Sequence, residues 1–385
     1  MKEGYRLLGD FIQPVDERNK ELKVDYLLGV SISKQFIPSI ANIVGTDLSN
    51  YKIVRTGQFA YGPVTSRNGE KISIALLRDK DCIISSSYTV FEVTDNERLD
   101  PEYLMLWFSR PEFDRYTRYM SHGSVREIFD WDELCKVELP VPSIEKQRGI
   151  VKAYNTITDR IELKQKINDN LEVTTSSIYH SLFDEQTTWA KGNVSDFGEV
   201  VGGATPSKDV DVYFCSEGIV WLTPKDLTST GKKFIYKGET DITEAAYRSC
   251  STKLLPKGSV LLTSRAPVGC VAIAMTELCT NQGFKSIIPN NEFGTAFVYY
   301  FLKENKPLLE SHSSGTTFME ISGSVLKTIP AFIPPKDLTK RFSSICEPIF
   351  AYQAQIEAEI HQLLELQRMV SSLSLIHISE PTRPY

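Results

Sequence analysis

Histidines, cysteines and paired carboxylates are the residues that most often carry catalysis or hold a metal, and in this chain their spacing supports neither. The five histidines (His122, His180, His312, His361, His377) stand apart, without the Cys/His neighbours of a metal site. The seven cysteines (Cys82, Cys135, Cys215, Cys250, Cys270, Cys279, Cys346) are odd in number and form no CxxC pair. They read as free thiols of a reducing cytosol. Asp209 and Asp211 could begin a metal-nuclease site but fit a solvated loop, and Gly202-Gly203 reads as a turn, opening neither a GxGxxG motif nor a phosphate loop. No GxxxxGK(S/T) loop occurs, so ATP hydrolysis is not expected. Nor is there an Asn/Asp-Pro-Pro-Tyr/Phe motif, which would clamp an adenine amino group for methyl transfer. The chemistry to expect is recognition.

The elements that would position recognising residues are set out twice. At 385 residues the chain exceeds what one hydrophobic core usually serves, and 41% apolar with 24% charged residues is the composition of an ordinary soluble protein. Two domains are therefore expected, and internal repetition supports them. Leu8-Gly9-Asp10-Phe11-Ile12 returns as Val194-Ser195-Asp196-Phe197-Gly198, an offset of 186. A small polar loop, Ser121-His122-Gly123-Ser124, has its counterpart in Ser311-His312-Ser313-Ser314-Gly315-Thr316. Proline-ended strand-like runs follow at 136–142 and 327–335, each leading into a long helical pattern with Arg148 or Arg341 six residues beyond the last proline. Four pairs in one order indicate a domain duplication.

Alternating runs at 71–77, 87–93, 259–264 and 270–275 predict strands. The first long helix carries Ile150, Ile157, Leu171 and Ile178 at multiples of seven, interrupted by Lys164. Tyr154, Ile161 and Leu182 take the companion positions, interrupted by Asn168 and Thr175. The second carries Ile345, Ile349, Tyr352, Ile356, Leu363, Leu366 and Val370, with Pro348 expected to start or kink it. Such stripes suit two helices packed along a coiled-coil-like seam; two unrelated core helices are the alternative. The fold class expected is α+β. Its boundaries fall at 1–142 for the first mixed domain, 143–185 for a central helix, 186–335 for the second domain and 336–372 for a second helix. Residues 373–385 follow as a tail. Leu373 to Arg383 in that tail resemble a translated sequencing adapter, so the second helix is expected to be cut short.

The second half also holds motifs with a known setting. Gly202-Gly203-Ala204-Thr205-Pro206-Ser207 is followed by Gly218-Ile219-Val220-Trp221-Leu222-Thr223-Pro224-Lys225-Asp226-Leu227. Then come Gly258-Ser259-Val260-Leu261-Leu262-Thr263-Ser264-Arg265-Ala266-Pro267-Val268-Gly269 and Thr280-Asn281-Gln282-Gly283-Phe284-Lys285. In this order they resemble the target recognition domain of type I restriction-modification specificity (S) subunits, and the likeness runs from residue 1 to about residue 370. It implies two target recognition domains, each reading half of a split DNA sequence, and two long antiparallel helices acting as a ruler. It also implies double-stranded DNA, two methyltransferase (M) subunits and restriction/translocase (R) subunits as partners. S-adenosylmethionine, ATP and Mg would be bound only by those partner subunits. No cofactor, metal or catalytic residue is expected in this chain. No apolar run approaches a membrane span and the first residues carry no secretory pattern, so a cytoplasmic protein is expected.

On that resemblance the candidate DNA contacts in the second half are Lys208, Lys225, Ser264, Arg265, Asn281, Gln282 and Lys285. Arg265 is favoured for a base contact because a guanidinium can bond guanine through two parallel hydrogen bonds. Asn281 and Gln282 could meet adenine edges or cap the turn at Gly283. In the first half the candidates are Arg67, Lys71 and Arg126, and Thr65-Ser66-Arg67 repeats the triplet Thr263-Ser264-Arg265. Lys+Arg number 43 against 49 Asp+Glu, a net charge of −6, so any DNA-facing patch must be local. A self-sufficient nuclease or methyltransferase is disfavoured by the missing motifs. A scaffold or carbohydrate-binding module that oligomerises through its helices is the other alternative.

Overall fold

The computed structural model describes residues 4–39, 46–66, 69, 71–122, 127–184, 188–315 and 319–373. Arg67, Arg126, the loop residues 123–125 and 316, and the tail after residue 373 lie outside the described residues. The chain divides into two compact units, Met1–Ile161 with Leu363–Tyr385, and Glu162–Gln362.

In the first unit, strand β1 (Tyr5–Leu7) pairs antiparallel with β10 (Glu138–Pro140), bringing the two ends of the domain together. An antiparallel sheet follows in the order β2 (Ile12–Val15), β9 (Thr89–Val93), β6 (Phe59–Tyr61), β7 (Ile74–Leu76). Its short strands are apolar on both faces because both faces are covered. Phe59, Tyr61, Ile74, Leu76 and Phe91 meet α1 (Pro101–Phe108), α2 (Pro111–Met120) and α3 (Trp131–Cys135) on one side. Ala60, Ala75 and Val90 meet two small ribbons on the other, β3 (Leu28–Val30) with β4 (Phe36–Pro38), and β5 (Lys52–Val54) with β8 (Cys82–Ile84). Helix starts are marked locally: Asp100 accepts the Tyr103 N–H at 3.0 Å, and Pro101 follows it as the first helical residue.

The second unit repeats this plan. Strand β11 (Ala190–Asn193) pairs with β21 (Pro330–Ile333), and the main sheet runs β12 (Gly198–Gly202), β20 (Lys285–Pro289), β17 (Val260–Leu262), β18 (Val271–Ala274). One further strand, β15 (Phe234–Ile235), joins β18 in parallel and extends the edge. Helices α7 (Gly294–Glu304), α8 (Lys306–Ser311) and α9 (Gly323–Thr328) correspond to α1, α2 and α3. The opposite face carries a four-stranded sheet, β13 (Phe214–Cys215), β16 (Thr240–Ile242), β14 (Ile219–Leu222) and β19 (Cys279–Thr280), with α5 (Pro224–Thr230) and α6 (Glu244–Ser249).

Residue-level equivalence follows from matching hydrogen bonds. Gly57 and Gly258 both have positive φ (92° and 89°), and their N–H groups donate to Leu77 O and Ala274 O, each at 2.8 Å. Seven residues on, Val64 bridges Ile128 and Arg265 bridges Glu320, while Phe129 donates to Pro63 O as Ile321 does to Ser264 O. The counterpart of Arg265 is therefore Val64. The repeated Thr-Ser-Arg triplet is three residues out of structural register.

Each repeat ends in a long helix, α4 (Ile144–Phe183) and α10 (Lys336–Leu373), of 40 and 38 residues. Each is bolted at its first turn by a fully buried polar residue. Gln147 accepts the Asp100 N–H at 2.9 Å and donates to Arg98 O and Pro142 O, and the Thr339 hydroxyl donates to Glu292 O at 2.6 Å. In the second unit the helices run antiparallel: Gln353 Nε2 donates to Asn168 O at 3.4 Å, and Lys164 pairs with Glu359 further along. In the first unit, Gln367 Nε2 donates to Thr158 Oγ1 at 2.7 Å.

On α4 the expected stripe is buried or half-buried throughout, with Ile157 and Thr175 buried and Ile161 and Leu171 half-buried. Ile150 packs on the first core and Ile178 on the second. On α10, Ile356 is buried and Ile345 and Leu363 are half-buried, but Tyr352 (45% exposed) and Leu366 (46%) leave the seam. The positions beside them, Gln353 and Gln367, take their place, because an amide that bonds across the seam can be buried there. Pro348 is exposed within the helix, which starts at Lys336.

Candidate nucleic-acid interface

In the second unit the glycine-rich loop and the Thr280–Lys285 segment fold onto each other. A Cβ at Gly203 would lie 2.1 Å from Thr280 O and 2.2 Å from Asn281 O, so only glycine permits the approach. Ala204 N–H then donates to Thr280 O at 3.0 Å, Trp221 Nε1 donates to Ala204 O at 3.1 Å, and the Thr205 hydroxyl donates to Gln282 Oε1. Asn281 Oδ1 accepts the Gly283 N–H at 2.8 Å, which caps the turn and leaves less of that side chain for a base edge.

Beside this turn lie three charges. Arg265 Nη1 is 3.7 Å from Glu320 Oε2, and the two side chains are 36% and 40% exposed. Lys285 Nζ donates to Gln282 O at 3.1 Å and Phe284 O at 3.2 Å. Burial pushes its ammonium below the ordinary range; the Glu320 carboxylate opposes that and the Arg265 guanidinium adds to it. Thr205, Gln282, Lys285, Arg265 and Glu320 thus form one polar patch, able to donate to phosphates and base edges. Glu320 is held in place by its bridge to Ser314, with both backbone hydrogen bonds at 2.9 Å.

Ser264 is not part of that surface. It is fully buried, its N–H donates to Gly283 O at 2.7 Å, and its hydroxyl has no partner among the described residues, so a base contact is corrected to a structural role. Lys225 sits apart on α5, paired with Glu239 at 2.9 Å, and that hydrogen bond raises its pKa. Lys208 is exposed in the loop before Asp211–Tyr213. In the first unit Lys71 is exposed; burial lowers the pKa of the nearby Lys34, whose ammonium pairs with Asp114 at 2.6 Å, and the Lys71 charge adds slightly to that lowering. Glu320 and Thr205 were not anticipated from sequence. Alignment of the two hairpins, His122–Ile128 with Ser314–Glu320, is the signal that would have exposed Glu320.

Replacing Gly203 with alanine is expected to push the two loops apart and separate Thr205 from Gln282. DNA affinity should drop at least tenfold in a binding titration while far-ultraviolet circular dichroism stays native. Unchanged affinity would mean the patch does not touch DNA.

Fold and patch together describe a duplicated recognition protein: two α+β domains, each followed by a long helix. The chain belongs to the type I restriction modification DNA specificity domain family, whose model matches residues 54–173 and 186–366. It is 41% identical over 159 residues to the type I restriction enzyme MjaIX specificity subunit of Methanocaldococcus jannaschii, spanning 41% of this chain and 37% of that one. It is 21% identical over 414 residues to the HindI specificity subunit of Haemophilus influenzae, spanning 86% and 88%. The solved S subunit of the type-I system from M. genitalium shares the fold, with a TM-score of 0.62, 13% identity and coverage of 97% and 96%. Among the described residues no helix is long and apolar enough to cross a membrane.

Proposed function

We propose that this specificity subunit reads a bipartite DNA target, one half through each domain. The helix pair sets the gap and docks two methyltransferase subunits, through which restriction/translocase subunits join. Methyl transfer and cleavage, with S-adenosylmethionine, ATP and Mg, belong to those partners, and the complex works in the cytoplasm. The observation that carries this reading is the duplication with altered chemistry. The two domains share the matching bridges and backbone hydrogen bonds described above, and the first presents Val64 and Ile128 where the second presents Arg265 and Glu320. Two copies of one frame with different side chains at the same bridge are what two different half-sites require.

The test is co-expression with the partner methyltransferase and genome-wide mapping of modified adenines. A split, asymmetric motif is expected, and Arg265→Ala should relax one position of one half by about 1–3 kcal/mol of discrimination. A continuous palindrome, or no methylation, would overturn the reading. A scaffold that merely oligomerises would show no salt-dependent DNA binding.

A further inference from the structure

Lysine 233 precedes the extra strand β15, which has no counterpart in the first domain's main sheet. Lys233 follows Gly231-Lys232, yet its side chain is only 8% exposed. Its ammonium reaches three helices at once. It donates to Glu172 Oε2 on α4 at 2.8 Å, to Gln353 Oε1 on α10 at 3.0 Å and to Tyr300 OH on α7 at 3.3 Å. It also lies over the rings of Phe350 at 3.8 Å and Tyr299 at 4.7 Å. Glu172 is shared with Lys303 of α7, and the Tyr300 hydroxyl donates to Thr175 Oγ1 at 2.6 Å. One backbone step away, Lys233 N–H donates to Glu357 of α10 at 3.3 Å.

The domain is already held to the helices by rings: Tyr179 on α4 stacks on Tyr300, and Phe342 on α10 meets both Tyr179 and Tyr300. Such packing supplies cohesion, and a small slide costs it only part of its contact energy, since each dispersion contact is individually weak. A buried ammonium with three fixed acceptors behaves differently. Displacing it leaves charges unpaired in a low dielectric, and setting register is the best-attested use of such groups. We infer that Lys233, through Glu172 and Gln353, is the positioning residue that fixes the register of the second recognition domain on the helix pair and so sets which gap between half-sites is accepted. This rests on the bipartite reading above.

One additional base pair moves a half-site by about 3.4 Å along the duplex and roughly a tenth of a turn around it. Lys233→Met keeps the length and apolar stem of the side chain, and Glu172 retains Lys303 as a partner. With the partner methyltransferase, this variant is expected to keep both half-site sequences while sites with gaps one base pair longer or shorter become methylated. Discrimination between the native gap and its neighbours should fall about tenfold. A loss of stability alone would lower methylation at all sites together and leave the gap preference sharp, and that result would overturn the inference. If Lys233→Met does not accumulate as folded protein, Glu172→Gln is scored by the same criterion. A wild-type chain that gives no bipartite motif would sink the underlying reading before either variant is compared.

Discussion

A chain in which residues 190–333 are replaced by the matching domain of a relative is expected, with its partner methyltransferase, to direct methylation to a motif changed in one half only. The reason is how the domain is closed. Ala190 to Asn193 pair in register with Ile333 to Pro330, so the chain enters and leaves the domain through one antiparallel ribbon. The core between those strands, from Phe197 to Ile329, is built largely from the domain's own residues, with Tyr179, Phe342, Cys346 and Ala354 of the long helices completing one side. A graft cut at the ribbon therefore keeps the pairing that seals the domain and preserves the backbone entering α10. Methylation mapping of the chimera and both parents reads the outcome directly. A change in both half-motifs would mean that the domains do not read independently.

Glu172→Ala is expected to be among the most destabilising single substitutions in the second unit. It leaves Lys233 buried without its carboxylate, and breaking a buried ion pair from one side costs about 3–5 kcal/mol. For a unit of this size, thermal unfolding should shift down by about 10 °C. The same group predicts a pH dependence. Burial opposes ionisation of Glu172, but Lys233 and Lys303 outweigh it and hold its pKa at about 2, below the usual 4.5. A depressed carboxyl stabilises the fold fully above its unfolded pKa, and that contribution is lost as pH falls from about 4.5 towards 2. Glu357 acts in the opposite sense, because burial raises its pKa and its protonation relieves a cost. Lys233 itself is held down to about 8 by burial, so it adds stability only as pH rises from about 8 towards 10.5. Denaturant midpoints at pH 7, 4.5 and 3 should converge for wild type and Glu172→Gln as the pH drops. Parallel curves would assign the acid sensitivity elsewhere.

The duplication was legible because it rests on turn chemistry and proline-ended runs, which leave marks at fixed places in a sequence. The runs at 71–77 and 87–93 became β7 (Ile74–Leu76) and β9 (Thr89–Val93) for the same reason: branched and aromatic residues between polar turns. The α4 stripe was legible even through Lys164, Asn168 and Thr175, since enough apolar residues remained to hold the period. On α10 the period slipped by one where Tyr352 and Leu366 offered more hydrophobicity than Gln353 and Gln367, although the amides are the residues that meet the partner helix. Hydrophobic contrast locates a seam but cannot register a polar residue that earns burial by hydrogen bonding. The site was harder still. Arg265, Gln282 and Lys285 fall in one patch, but Ser264, one residue from Arg265, points into the core. Its burial depends on Gly283 O and the Ile321 N–H, both distant in sequence. Lys233 was unreadable because nothing in a Gly-Lys-Lys turn announces that a glutamate 61 residues earlier waits for it.

The composition of the first unit has a consequence for synthesis. It contains residues up to Ile161 and then the segment from Leu363 onward, including Gln367, which bonds Thr158. A ribosome adding 5–20 residues per second takes roughly 10–40 s to cross the intervening stretch. During that interval Thr158 on the nascent helix lacks Gln367, its partner in the folded protein. The half that is translated first is the half that is completed last, which makes the nascent chain most vulnerable to aggregation and proteolysis along that helix.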